Sequence, residues 1–233
     1  MKFMAFIPAR GGSKGIPRKN LVLLRDKPLI QYTLEAAQAS RHVTDIFVSS
    51  DDQEIIEFCE TKGLSVPYRR PPELASDESP TIDAVVHAIK WMQRNRNAVP
   101  DIIVLLQPTS PLRQTVHIDA ALELFFKREA ESLVSVHEMG EHPYECARMT
   151  SSAWEFLAKP SRKVTRRQDY SELFYYLNGA IYIATTNMLL RERAFVQEGK
   201  TIFYEMNPLT GIDIDNLLDM KQAEFLMQCK ELT

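Results

Sequence analysis

Short apolar runs of strand length alternate with amphipathic stripes of helical period along almost the whole chain, and no other feature restricts the fold so tightly. Strand patterns fall at residues 2–7, 45–49, 64–68, 102–106, 133–136, 180–184 and 201–205. Helical patterns lie between them, several with legible ends. Pro28 suits a first helical position ahead of Leu29, Ile30, Leu34 and Ala37. A helix over 54–62 stops at Gly63, a residue type that caps helix C-termini well. Ser79-Pro80 opens a stripe of Ile82, Val85, Val86, Ile89 and Met92; Ile118, Ala121, Leu122, Phe125 and Phe126 make another, and 217–229 a last one. The alternation predicts an α/β fold, a mostly parallel sheet with helices on both faces. Ligands of such folds bind in loops beyond the carboxyl ends of the strands, here after Ile7, Ser49 and Leu106. The pattern weakens across about 137–177, a polar, arginine-rich stretch with Pro143 and Pro160. It reads as an excursion from the sheet, a dimerisation arm or lid.

A length of 233 residues fits a single domain over 1–233 that includes this excursion. The longest aliphatic run, Ile102-Ile103-Val104-Leu105-Leu106, is far short of the ~20 residues that span a bilayer. The first seven residues lack a signal-peptide pattern, so no membrane partner is expected. Cys59, Cys146 and Cys229 share no disulfide or metal spacing, which points to a reducing, cytoplasmic compartment. The five histidines show no ligand spacing either and read as surface or core residues. A net charge of −3 argues against nucleic acid as a partner. Yet residues 1–25 hold six Lys/Arg and no acid, leaving the other 208 at −9. A basic island in an acidic chain predicts one local anionic ligand.

The first strand runs into Pro8-Ala9-Arg10-Gly11-Gly12-Ser13-Lys14-Gly15-Ile16-Pro17-Arg18-Lys19-Asn20. Its three glycines let the backbone turn tightly and bring N–H groups close to a ligand. The four cations from Arg10 to Lys19 suit a polyphosphate. The loop matches neither the Walker pattern nor Gly-x-Gly-x-x-Gly, which disfavours a dinucleotide site. Gly11-Gly12-Ser13-Lys14-Gly15 does match the nucleophile elbow of hydrolases. That elbow must enter a helix directly, whereas Pro17 follows here, and no histidine near the C-terminus completes the usual triad order.

Gly211-Ile212-Asp213-Ile214-Asp215-Asn216 lies near the other end. In extended chain, residues two apart share a face at ~6.6 Å. Asp213 and Asp215 then converge on one Mg²⁺ or hold two, with Ile212 and Ile214 turned into the core. The plain alternative is an acidic turn in which Asp215 caps the last helix. Gln107-Pro108-Thr109-Ser110-Pro111-Leu112-Arg113 follows the most apolar strand. Arg69-Arg70-Pro71-Pro72-Glu73-Leu74 follows another, with Ser76, Asp77, Ser79 and Thr81 beyond. Both offer donors and acceptors to a base or sugar, or are simply turn chemistry. Ser49-Ser50-Asp51-Asp52 ends a strand at the ligand side or caps the next helix. Arg166-Arg167-Gln168-Asp169 is an anion clamp or a surface run.

The loop from Ile7 to Leu21 resembles the signature of the acylneuraminate cytidylyltransferases, the CMP-sialic acid synthetases. The resemblance continues in Val48-Ser49-Ser50-Asp51, Arg70-Pro71-Pro72-Glu73-Leu74-Ala75-Ser76-Asp77, Leu106 to Arg113, Asn178-Gly179-Ala180-Ile181-Tyr182-Ile183 and Asp213-Ile214-Asp215. It spans nearly the whole chain in the family's order. It implies a nucleotide-diphospho-sugar transferase (Rossmann-like) fold, a homodimer, and transfer of CMP from CTP to a nine-carbon acidic keto-sugar. By the resemblance, Arg10, Lys14 and Lys19, with Gly11 and Ser13, hold the triphosphate. Asn20, Arg70, Ser79 and Thr81 contact the nucleotide. Gln107, Thr109, Ser110, Tyr182 and Arg167 or Gln168 face the sugar, and Asp213 and Asp215 bind Mg²⁺. Arg10, Lys19, Asp213 and Asp215 are the catalytic candidates.

The chain departs from the family in places that bear on the sugar. Tyr176 stands where many members have an arginine, and Phe195-Val196 where some have an aromatic pair. Lys19-Asn20-Leu21 differs from the Gly-Lys-Pro-Leu loop ending of the related eight-carbon Kdo enzymes. Two alternatives keep the fold: a cytidylyltransferase for a different acid or a phosphorylated sugar, and a non-catalytic nucleotide or sugar sensor.

Overall fold

The computed structural model describes residues 1–96, 99–160 and 166–229, without the side chain of Arg167. The chain runs β1 (Phe3–Pro8), a small ribbon of β2 (Leu23–Leu24) and β3 (Lys27–Pro28), α1 (Leu29–Gln38), β4 (Asp45–Ser49), α2 (Gln53–Thr61) and α3 (Thr81–Asn95). It continues with β5 (Ile102–Leu105), α4 (Thr115–Lys127), β6 (Ser132–Glu138), a hairpin of β7 (Ala147–Met149) and β8 (Trp154–Phe156), and β9 (Tyr175–Thr185). Last come α5 (Thr186–Glu192), β10 (Ile202–Glu205) and α6 (Leu217–Gln228).

Six strands form one sheet in the order β10-β6-β9-β5-β1-β4. β1 pairs in parallel with β4 and β5, and β10 in parallel with β6, whereas β9 runs antiparallel between β5 and β6. Strand side chains alternate between faces, and the two cores follow that rule. Ala5, Ile7, Val48 and Val104 pack on one face with Ile30 and Leu34 of α1, Ile55 of α2 and Leu122 of α4. Met4, Phe6, Phe47 and Ile103 pack on the other with Val85 and Ile89 of α3 and Met188 of α5. Each of the larger side chains among them contributes about 1.5–3 kcal/mol when taken fully out of water.

Helix placement fixes the crevice. The connection from β1 to β4 carries α1 on the first face, and that from β4 to β5 carries α3 on the second. The chain passes from β1 outward to β4 and then returns across β1 to β5 on its other side, and this reversal of strand order opens a gap beyond the carboxyl end of β1.

The expected strand at 64–68 does not form. Val66 and Tyr68 are buried as a strand's inner face would be, but ladder pairing is reduced to one parallel bridge between Ser50, just past the end of β4, and Arg69. Pro67 has no N–H to give a ladder, so the segment packs without joining the sheet. The strand expected over 180–184 begins earlier, at Tyr175, because its pairing with β6 continues out to Glu138 and Tyr175. Helix α5 was not expected; the Thr185 hydroxyl caps it by accepting from the Met188 N–H. Between β6 and β9 the chain makes the β7–β8 hairpin and a small aromatic cluster, with Tyr144, Tyr170 and Phe174 ringed around His142 at 4.6, 4.4 and 5.0 Å. Among the described residues no helix is long and apolar enough to cross a membrane.

Candidate active site

The gap beyond β1 is a cleft of about 290 Å³. Four separate stretches of chain line it: Arg10, Gly12, Ser13, Lys19 and Asn20 after β1; Arg70, Asp77, Ser79 and Thr81; Gln107 and Thr109 after β5; and Asp213 with Asp215.

The loop after β1 is held by its own polar groups. The Gly11 N–H donates to Asp51 Oδ1 at 3.0 Å, and buried Asn20 donates through Nδ2 to the Arg10 carbonyl at 2.9 Å. Arg18, left-handed at φ 53°, places its guanidinium on Asp52 and Glu54. Asp52 also caps α2 by accepting from the Ile55 N–H at 3.1 Å. Gly15 lies so close to the acidic segment that a Cβ there would sit 2.0 Å from the Asp215 carbonyl oxygen.

The acidic segment is anchored between its two carboxylates. Ile214 is fully buried with Ile16, Leu24, Leu29 and Ala223, and its N–H donates to the Thr109 carbonyl at 2.8 Å. Burying the intervening isoleucine turns both aspartates outward. Asn216, not Asp215, caps α6, accepting from the N–H groups of Leu218 and Asp219. Lys19 joins the two halves of the cleft, its Nζ donating to the Ile214 carbonyl at 2.7 Å and to Asp215 Oδ1 at 2.9 Å. Asp213 is open to solvent on one side, yet desolvation by the surrounding protein raises its carboxyl above the usual range. The Thr109 hydroxyl partly offsets that rise, and the charge of Asp215 adds to it.

Two further groups line the wall. Arg70 is buried and donates to Ser49, at 2.9 Å to Oγ and 2.6 Å to the carbonyl. Ser79 donates to the Glu73 carbonyl at 2.6 Å, and Thr81 is the first residue of α3. Not all the sequence candidates reach the cleft wall. Lys14 is mostly exposed and lies 3.5 Å from Asp77. Ser110 is wholly buried, with no partner for its hydroxyl among the described residues. Tyr182 packs against Phe195; burial first, and then the charge of Asp213, push its phenol up. Gln168 is exposed on the short turn Arg167–Asp169, and the Arg167 side chain lies outside what is described.

Three residues that matter to this geometry entered the sequence reading only as members of candidate loops, with no individual role. Asp51 fixes the Gly11 backbone, and Asp77 pairs with Arg10 at 2.7 Å. Arg113 is fully buried, with no carboxylate paired to it among the described residues. It donates to the carbonyls of Gln107 at 3.1 Å and Ala180 at 2.9 Å and to the Thr33 hydroxyl at 2.6 Å. Burial lowers its pKa to about 9. Those three bonds lock the loop that presents Gln107 and Thr109. The sequence signal of Arg113 was its place as the one charge at the end of the motif from Leu106 to Arg113, which does not show that it is buried.

Among the described residues no group of three or more His, Cys, Asp or Glu side chains is placed to hold a metal ion by itself. Asp213 and Asp215 form a pair of hard oxygen donors beside a cationic loop. That donor set suits a divalent cation whose remaining positions are filled by water and by phosphate oxygens of a substrate.

Comparison with known proteins agrees with this architecture. A family model described as cytidylyltransferase matches residues 4–232. The chain is 36% identical over 217 residues to an N-acylneuraminate cytidylyltransferase of Streptococcus agalactiae, covering 92% of this chain and 51% of that protein. It thus spans about half the length of that relative. It is 35% identical over 232 residues to a CMP-N,N'-diacetyllegionaminic acid synthase of Legionella pneumophila, covering 99% and 98% of the two chains. A solved structure of CMP:2-keto-3-deoxy-manno-octonic acid synthetase complexed with CTP superimposes with a TM-score of 0.70 at 16% identity, covering 99% of this chain and 100% of that one. At that identity it speaks for the nucleotide-sugar transferase fold alone. On the extent of the family match and the full-length relative together, the chain belongs to the cytidylyltransferase family.

Proposed function

We propose that this chain transfers CMP from CTP to the anomeric hydroxyl of a nine-carbon acidic keto-sugar, releasing pyrophosphate, with Mg²⁺ held by Asp213 and Asp215. The observation that carries the reading is the junction at Lys19. One ammonium joins a glycine-rich cationic loop to a pair of outward-facing carboxylates inside a single cleft. A pure sensor of phosphates has no use for two carboxylates beside them. The names of the relatives, which include sialic and legionaminic acid enzymes, support the nine-carbon class of acceptor.

In the reaction the anomeric oxygen forms a bond to the α-phosphorus of CTP as the bond from that phosphorus to the β-bridging oxygen breaks. Pyrophosphate leaves, and the hydroxyl proton passes to solvent or to a carboxylate of the cleft. Charge grows on the phosphoryl oxygens and the leaving group, so placement and electrostatics carry the catalysis. Arg10 and Lys19 neutralise the β- and γ-phosphates from the cleft wall, and Lys14, outside the wall beside Asp77, adds its charge at the rim. Gly11, Gly12 and Ser13 let the loop backbone approach them. Asn20 keeps the loop closed on Arg10, while Ser79 and Thr81 face the nucleoside and Arg70 holds the wall behind it. Gln107 and Thr109, set by Arg113, face the acceptor sugar. Bound Mg²⁺ supplies Lewis-acid polarisation of the phosphate and lowers the pKa of a bound hydroxyl.

We also assign a homodimer. Met149, Trp154, Phe156, Leu157 and Leu173 are exposed large apolar side chains on the excursion between β6 and β9, and a second copy would cover them. The functional reading is tested by measuring pyrophosphate release with CTP and Mg²⁺ across a panel of nine-carbon keto-acids, with Kdo and a no-sugar blank. Release with a nine-carbon acid and not with the blank is expected. Silence across the panel in a protein that binds CTP overturns it.

A further inference from the structure

We infer that Asp77 is a resident counter-anion of the phosphate loop, which competes with the phosphates of substrate and product for Arg10 and Lys14 and so sets how loosely the cleft holds pyrophosphate. The inference rests on the phosphate-binding role proposed above for those two cations.

The two oxygens of this one carboxylate are divided between two cations. Oδ1 lies 2.7 Å from the Arg10 guanidinium, and Oδ2 lies 3.5 Å from the Lys14 ammonium. Asp77 lines the cleft itself. Its oxygens therefore stand where a phosphate would engage the same cations. The pairing is open to exchange, because the Arg10 and Asp77 side chains are 32% and 36% exposed and that of Lys14 is 76% exposed. Ion pairs this exposed are weak and yield to a stronger anion. Arg10 also donates to the Ala75 carbonyl at 3.4 Å, so its place in the cleft does not hang on Asp77 alone.

The stretch that carries Asp77 is anchored on both sides of it. Before it comes the 3₁₀ turn Pro72–Leu74, and after it Ser79 donates to Glu73 and shares a hydrogen bond with Ser76. The carboxylate is thus held in reach when phosphate is absent. As pyrophosphate departs, Asp77 takes back the two cations, so that release does not leave bare positive charge in the cleft. A brace that merely positions Arg10 makes the opposite prediction, since removing a brace weakens anion binding.

The test is calorimetric titration of inorganic pyrophosphate, without divalent metal, into the wild-type chain, Asp77→Asn and Arg10→Ala. Asp77→Ser is measured alongside in case the amide forms new bonds. Both Asp77 variants are expected to bind pyrophosphate about three- to tenfold more tightly than wild type. The gain should shrink at high salt, and pyrophosphate should become a correspondingly stronger inhibitor against CTP. Arg10→Ala is expected to bind it more weakly. If the Asp77 variants bind equally or less tightly while Arg10→Ala weakens, the counter-anion role is wrong and the phosphate loop stands. If Arg10→Ala leaves the affinity unchanged, the phosphate-loop reading falls, and this inference with it.

Discussion

Adding one methyl group at Gly15 tests whether the contact between the cationic loop and the acidic segment sets the reacting geometry. A Cβ at that position would lie 2.0 Å from the Asp215 carbonyl oxygen and 3.2 Å from its carbon. Real side chains almost never come nearer than 3.0 Å, so loop and acidic segment must part by at least about 1 Å. Both contact surfaces are backbone, and no rotamer change relieves the overlap. The parting strains the two Lys19 bonds at 2.7 and 2.9 Å and draws the phosphate cations away from Asp213 and Asp215. A misplacement of about 1 Å commonly costs about 10²-fold in rate, or about 2.7 kcal/mol of activation free energy. Overpacking lowers stability by about a further 1–3 kcal/mol. Gly12→Ala is the matched control, because a Cβ at Gly12 meets nothing within 4 Å. Steady-state pyrophosphate release and urea unfolding of the two variants check this. Gly15→Ala should lose kcat and unfolding free energy, while Gly12→Ala should keep its stability and alter at most the KM for CTP, because it lines the cleft. A folded Gly15→Ala with kcat within threefold of wild type would refute the argument.

Asp213→Asn should cost at least ~10²-fold in rate at saturating Mg²⁺; near-full turnover there contradicts the metal assignment. The same variant should be at least as stable as wild type at neutral pH. The raised carboxyl of Asp213 means that its ionised form is disfavoured in the folded state, a penalty present above its folded-state pKa and absent below the ordinary aspartate range. Thermal melts against pH should show any advantage of Asp213→Asn vanish on acidification; an advantage that grows on acidification contradicts the sign. Arg113→Met should lower unfolding free energy by about 2 kcal/mol or more, because it strands the Gln107 and Ala180 carbonyls in a dry interior. Unchanged urea unfolding would show that those groups find other partners.

Much of this architecture is legible locally. The parallel strands and α1 to α4 come from apolar periodicity, which depends only on near neighbours. The antiparallel course of β9 is not local, since it follows from how the chain returns after the 137–177 excursion. The strand reading at 64–68 followed Leu64, Val66 and Tyr68 and passed over Pro67, whose missing N–H decides the outcome. In the cleft, glycines and charge marked the loop, and Asp-Ile-Asp marked the carboxylates, because each motif is compact in sequence. Asp77 and Arg113 stand in loops that the sequence marked for a ligand, but their own roles were not legible. One acquires its meaning from Arg10 across 67 positions; the other from burial against Thr33 and Ala180. Ser110 sits in a polar-looking loop but faces inward, a distinction that composition does not encode.

The central claim is that a sugar hydroxyl in this cleft attacks the α-phosphorus of CTP. Incubation with CTP, Mg²⁺ and a nine-carbon keto-acid labelled with ¹⁸O at the anomeric hydroxyl tests it most directly, read by ³¹P NMR and mass spectrometry of the product. The account predicts one CMP-sugar per pyrophosphate, with the label in the oxygen that bridges phosphorus and sugar. Label lost to water, or CTP consumed with no label joined to phosphorus, would contradict it.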